Sequence, residues 1–158
     1  MKIKNIKLLA GSILLCQAAG IIGSFATVSS VSTWYLTINK PSFNPPSWIF
    51  GPVWTTLFVL MGIALYLVWQ KAEENKEALR AKKLFLVHLV FNILWSYLFF
   101  GLKNLGFAFF EILFLLAFIA YLIFLFAKIN KWAGILLVPY LLWGSFATIL
   151  NFAIWQLN

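Results

Sequence analysis

The sequence predicts an all-α integral membrane protein, a five-transmembrane-helix bundle with a long Pro- and aromatic-rich first loop. Three observations carry this. Composition comes first: 63% of the 158 residues are hydrophobic and 10% are charged, with a mean hydropathy of +0.95, whereas soluble domains are about half apolar and a quarter charged. Too little polar surface exists to cover a water-facing globule, so the bilayer must be the solvent. Second, basic residues bracket the apolar runs. Residues 84–102 lie between Lys83 and Lys103, and at ~1.5 Å per residue such a run covers roughly 28 Å, close to the ~30 Å hydrocarbon thickness. Third, the same pattern recurs along the chain and gives spans at 6–27, 47–70, 84–102, 105–127 and 132–155, one domain over residues 1–158.

The first span begins after Lys2, Lys4 and Lys7 and runs past Ile21, Ile22 and Phe25. A cleaved signal peptide is the competing reading, because a basic start, an apolar core and "CQAAG" share that layout. The apolar run is longer than such a peptide needs, and Gly20, Gly23, Ser24 and Thr27 make a small-residue face at helical spacing, suited to close helix contact. The sequence is therefore read as a retained helix. The first loop, "KPSFNPPSWIFGPVW" (40–54), packs four prolines, two phenylalanines and two tryptophans where an ordinary connection would be polar. On the second span Trp54, Phe58, Met61 and Leu65 form an aromatic-aliphatic stripe.

The second loop, "QKAEENKEALRAKK", reads as a solvated helical extension or linker, with Glu73 meeting Lys76 and Glu77 meeting Arg80 if it is helical. Counting Lys and Arg by side, the N-terminus, the second loop and the fourth loop hold ten, against Lys40 and Lys103 opposite. Positive charge stays inside. The N-terminus is expected in the cytoplasm, with the C-terminus and the aromatic loop outside a bacterial cell membrane. Nucleic acid is not an expected partner despite the net charge of +8, since the basic residues border apolar runs and form no stripe that grips phosphates.

Polar residues inside spans are costly and so informative. On the third span His88, Asn92, Ser96 and Phe99, with Trp95 beside Ser96, make one polar-aromatic stripe; on the fifth, Pro139, Trp143, Ala147 and Asn151 repeat every four residues. His88, Asn92 and Asn151 read either as interhelical hydrogen-bond glue, worth about 0.6–2 kcal/mol apiece, or as ligand contacts. Glu111, the one acid within a span, reads as a bond to a neighbouring helix or as a proton-relay or binding group. Trp69, Trp132 and Trp155 sit at span ends as interfacial anchors, whereas Trp54 and Trp143 lie inside their runs and are expected to wall a cavity. The chain carries no paired-carboxylate dyad, Ser/His/Asp set, glycine-rich phosphate loop or metal-ligand cluster. No metal site and no required cofactor are expected, and hydrolytic and phosphoryl-transfer chemistry are disfavoured.

Three stretches, "WYLTINKPSFNPPSWIFGPVWTTLFVLMG" (34–62), "FNILWSYLFFGLKNLGFAFFEI" (91–112) and "PYLLWGSFATILN" (139–151), together resemble the translocator protein / tryptophan-rich sensory protein (TspO/MBR, peripheral benzodiazepine receptor-like) family. The resemblance implies a five-helix bundle, commonly a homodimer, whose cavity opens toward the first loop and binds porphyrins and drug-like molecules. It places Trp34, Tyr35, Pro45, Trp54, Asn92, Trp95, Ser96, Phe99, Trp143 and Ala147 at the pocket, to which the stripes above add Phe58 and His88. It also implies that Trp54 and Trp143 match tryptophans linked in bacterial relatives to light-dependent breakdown of protoporphyrin IX. Sterol binding is in doubt, since no Lys or Arg follows Tyr140 closely.

The loop then makes physical sense as a stiff lid. Proline fixes φ, so Pro41, Pro45, Pro46 and Pro52 can hold Trp34, Tyr35, Phe43 and Trp48 over the helix mouths; a hydrophobic plug is the plainer alternative. A planar apolar ligand, with a tetrapyrrole first among candidates, suits such a site because ring stacking adds about 0.5–1.5 kcal/mol per aromatic pair. Lys40 or indole N–H groups are expected to meet its acidic side chains. The expected function is porphyrin binding for sensing, trafficking or disposal, with photo-oxidative degradation of the porphyrin by Trp54 and Trp143, or small-molecule transport, as alternatives.

Overall fold

The structure, a computed structural model, describes residues 5–158; the expected basic residues Lys2 and Lys4 lie outside them. Helices α1 (Ile6–Val31), α3 (Phe50–Trp69), α4 (Lys76–Ser96), α5 (Leu105–Ile129) and α6 (Lys131–Leu157) form the bundle, with a short α2 (Trp34–Thr37) in the first loop. Five helical stretches of 23–27 residues are long and apolar enough to cross a membrane. Around the bundle the order is α1, α3, α6, α5, α4 and back to α1.

The helix starts follow from local chemistry. Asn5, Asn75, Asn104 and Asn130 each sit one residue before a helix, and each side-chain oxygen accepts from a first-turn backbone N–H, that of Leu8, Glu77 and Ala78, Phe107 and Trp132 respectively. Such a cap is worth about 1 kcal/mol. The α3 start uses prolines instead: Pro46 precedes a 3₁₀ turn over Ser47–Ile49, and Pro52 occupies the first turn of α3, where a missing N–H costs nothing.

These caps correct some expected boundaries. The third span begins not at 84 but at Lys76, because Asn75 nucleates the helix inside the charged loop. Glu73 therefore precedes the helix and cannot pair with Lys76 along one helical face, while Glu77 sits in the first turn, where a negative charge suits the helix dipole. The first span runs on to Val31 rather than 27.

Two glycines set how closely the helices meet. A Cβ on Gly62 would lie 2.5 Å from the Cα of Ile13, so α1 and α3 cross almost backbone to backbone. A Cβ on Gly20 would lie 2.5 Å from the ring of Phe58. With Ser12 and Cys16 fully buried, α1 is an integral wall of the bundle.

Past Ser96 the fourth helix widens into a single π turn over Tyr97–Gly101, closed by Leu102 N donating to Tyr97 O at 2.7 Å. The connection then turns sharply through Lys103, whose φ of 55° is the one positive value among the described non-glycine residues. At the same end the first loop is clasped to α6: Asn39 N donates to Asn158 Oδ1 (2.9 Å) and Asn158 Nδ2 to Asn39 O (3.0 Å).

Candidate functional site

A cavity of about 540 Å³ opens in the half of the bundle nearest the first loop. Its walls come from α1, α3, the α4 C-terminal region and α6, while α5 contributes none of the lining. The volume falls within the ~300–1,000 Å³ typical of small-molecule sites. The upper half of α1 leans on the end of α4 and on the π turn: Gly23 faces the Ser96 hydroxyl, and Ser30 Oγ donates to the carbonyl of Phe100 at 2.7 Å.

Most of the residues singled out in the sequence converge here. Trp54 and Phe58 line the cavity from α3, Asn92, Trp95 and Ser96 from α4, Phe99 from the π turn, and Trp143 and Ala147 from α6, with Tyr35 above. Phe99, in the π turn, stacks on Trp95 with ring centroids 5.2 Å apart and planes at 29°. Trp95 is locked in turn, its indole N–H donating to Asn151 Oδ1 (3.2 Å) while Asn151 Nδ2 donates to Leu105 O (3.0 Å). Asn151, which also lines the cavity, thus acts as glue between α4, α5 and α6.

Three expected pocket residues do not reach the lining. Trp34 lies behind Phe99, edge-on at 5.9 Å, with Lys103 Nζ 5.9 Å from its own ring centre. Pro45 contributes its carbonyl to Asn44 Nδ2 at 3.0 Å, a contact within the loop. His88 is fully buried a turn below the cavity, its Nε2 3.0 Å from the Tyr140 hydroxyl. Further expectations need correcting. Trp48, 73% exposed, points away from the cavity, as Pro139 does on α6. Lys40 lies outside the lining, its Nζ donating to the carbonyls of Tyr35 (2.6 Å) and Ile38 (2.8 Å) and keeping one N–H of the ammonium for another partner. The helical bond expected for Glu111 is not made either: both carboxyl oxygens are buried without a hydrogen-bond partner.

Tyr35 is the structured part of the lid. Its hydroxyl donates to Asn44 Oδ1 at 2.7 Å. Burial pushes its pKa up from 10.0 to about 12, outweighing the Asn44 hydrogen bond that acts the other way. The phenol is therefore neutral at ordinary pH, and the lid brings no charge to the cavity through it.

The electrostatic character of the site follows. No lining residue among those described is charged, and the polar groups are hydroxyls, amides and indoles. One donor stands out: the buried Nε1–H of Trp143 has no hydrogen-bond partner, and its ring is held by Phe50 (5.9 Å) and Phe146 (5.3 Å). An orphaned buried N–H costs about 1–3 kcal/mol, and this one is covered by its neighbours while the rest of the Trp143 ring lines the cavity. The cavity can take a flat, largely apolar guest.

Sequence reasoning missed Tyr140. It is 1% exposed, accepts from Asn92 Nδ2 at 2.7 Å and meets the Trp54 ring edge-on at 6.1 Å. The signal was present, since Tyr140, Trp143, Ala147 and Asn151 share a helical face at i, i+3, i+7 and i+11; starting that stripe from Pro139 hid it. The part of α1 from Gln17 to Val31, which supplies one whole wall, was legible only as a small-residue face.

Comparison with known proteins places the geometry in context. The model of the TspO/MBR family matches residues 12–156. The chain is 45% identical over 155 residues to the "Tryptophan-rich protein TspO" of Archaeoglobus fulgidus, covering 98% of this chain and 99% of that one. It is also 45% identical over 159 residues to the protein of the same name from Chlorobaculum tepidum, covering 98% of each. The "Translocator protein" of Ovis aries is 34% identical over 149 residues, or 94% of this chain and 88% of its own.

Proposed function

The chain belongs to the TspO/MBR family of five-helix membrane proteins, and from that premise we propose that it binds a planar tetrapyrrole of the porphyrin class in the aromatic cavity, for sensing, trafficking or disposal. The observation that carries the reading is the lining itself, an uncharged cavity walled by the rings of Trp54, Phe58, Trp95, Phe99 and Trp143. A porphyrin offers what this wall lacks, a wide π face for Trp54, Phe58 and the Trp95–Phe99 stack. Its acidic side chains would point through the mouth toward the interface, because no lining cation receives them.

Titration of the protein in lipid nanodiscs with protoporphyrin IX, followed by tryptophan fluorescence quenching, is expected to saturate. An Ala147→Phe variant, which fills the cavity from α6, is expected to lose that saturation. Linear quenching equal in both proteins contradicts the reading.

A second reading is light-dependent oxidative breakdown of the bound ring. It is favoured by the position of Trp54, which lines the cavity and touches the redox-capable ring of Tyr140 behind it. The bound ring absorbs the light, so this chemistry asks of the protein electron donors rather than acids and bases. Bleaching of protoporphyrin IX under visible light, measured in wild type and in Trp54→Phe, tests it; equal rates at equal occupancy count against it.

A further inference from the structure

We propose that Tyr140 and His88 form a proton-coupled electron donor to Trp54, placed directly behind the cavity wall. The inference deepens the photo-oxidative reading, on which it rests for its natural oxidant, an excited porphyrin-class ligand. Three contacts define the relay. Trp54 lines the cavity and meets the Tyr140 ring at 6.1 Å between centroids. The Tyr140 hydroxyl lies 3.0 Å from His88 Nε2. Asn92 Nδ2 donates to the same hydroxyl oxygen at 2.7 Å.

The hydrogen bonds fix which way the proton faces. Asn92 donates to the phenol oxygen, so the phenol's own hydrogen needs an acceptor, and His88 Nε2 is the partner within reach. This places the imidazole proton on Nδ1, which meets no hydrogen-bond partner among the described residues. The opposite tautomer is worse: it would direct two donors at the phenol oxygen, orphan the phenolic hydrogen and still leave Nδ1 unpaired. Tyr140 and His88 are 1% and 0% exposed, so a phenol oxidised without losing its proton would carry an unsolvated positive charge. The Nε2 lone pair removes that barrier by taking the proton as the electron leaves.

The step balances as follows. The excited ligand takes one electron from Trp54, giving a ligand radical anion and an indole radical cation. Tyr140 returns one electron to the indole and passes its phenolic proton to His88 Nε2. The products are neutral Trp54, a neutral tyrosyl radical, and an imidazolium whose positive charge balances the negative charge on the ligand. The ligand anion then reduces molecular oxygen to superoxide beside the ring.

His88 is the single histidine in the chain, so ¹⁵N-histidine labelling reads it without ambiguity. In lipid bilayers at neutral pH its Nδ1 is expected to be protonated and its Nε2 bare; a protonated Nε2 overturns the proposal. In ligand-free protein, an ultraviolet flash that photoionises tryptophan is expected to give a tyrosyl signal by electron paramagnetic resonance. That signal should fall to the level of the remaining tyrosines in both Tyr140→Phe and Trp54→Phe. His88→Gln, which keeps an acceptor but cannot hold the proton, should slow its appearance. A signal indifferent to Tyr140 refutes the relay even if protoporphyrin IX binds saturably. A Tyr140-dependent signal without saturable binding leaves the relay standing and removes the ligand reading.

Discussion

Replacing Trp143 by Phe separates a ligand-directed role from a packing role, because the two predict opposite combinations of effects. The substitution keeps an aromatic ring against Phe50 and Phe146 and deletes the indole N–H that has no partner. In the empty protein the orphaned donor is a liability of about 1–3 kcal/mol, and its removal offsets the poorer van der Waals packing of the smaller ring. Thermal stability should therefore stay near that of wild type. A ligand-directed role requires the guest to draw this donor toward it, and losing a hydrogen bond worth about 0.5–1.5 kcal/mol then weakens binding about two- to tenfold. The assay pairs a protoporphyrin IX titration in nanodiscs with a melting curve of the empty protein. Unchanged affinity, or a fall in melting temperature without a fall in affinity, refutes the reasoning, since the indole would then serve packing alone.

Gly62→Ala places a methyl 2.5 Å from the Ile13 backbone and should cost about 1–3 kcal/mol as α1 and α3 are forced apart, lowering the melting temperature in detergent. Asn39→Ala removes one partner of the clasp to Asn158; limited proteolysis should then cut the first loop faster, with the helical core unaffected. The expected topology is checked by single cysteines in a Cys16→Ser background, Cys16 being fully buried: Ser42→Cys should react with an impermeant maleimide from outside intact cells and Glu74→Cys only after lysis. Because the folded pKa of Tyr35 is raised from 10.0 to about 12, its contribution to stability is present below pH 10 and lost as the pH rises toward 12. Tyr35→Phe should flatten that part of a melting-temperature profile.

The spans were legible because the bilayer imposes a length and basic residues mark their ends, as Lys83 and Lys103 do around 84–102. Helix starts were less so. Asn75 lies within a charged segment that a hydropathy reading assigns to the loop, yet its side chain caps a helix eight residues before the apolar run begins. The stripes on α3 and α4 pointed correctly into the bundle because a 3.6-residue period fixes a face. The same logic failed on α6, where Pro139 and Tyr140 are neighbours and only one can face inward. Loop side chains have no such period: Trp48 and Tyr35 looked equivalent in composition, and only the Asn44 and Lys40 contacts that order the turn separate the buried ring from the exposed one. The π turn that carries Phe99 had no sequence signal.

The central claim is that a flat aromatic guest sits between the wall tryptophans, and the indole ¹H–¹⁵N signals of the eight tryptophans test it most directly. The ring current of bound protoporphyrin IX should shift the signals of Trp54, Trp95 and Trp143 most, in proportion to occupancy, and leave the exposed Trp48 and Trp132 nearly unmoved. Largest shifts at Trp48 and Trp132, with the cavity signals still, would place the ligand on the lipid-facing surface and contradict the account.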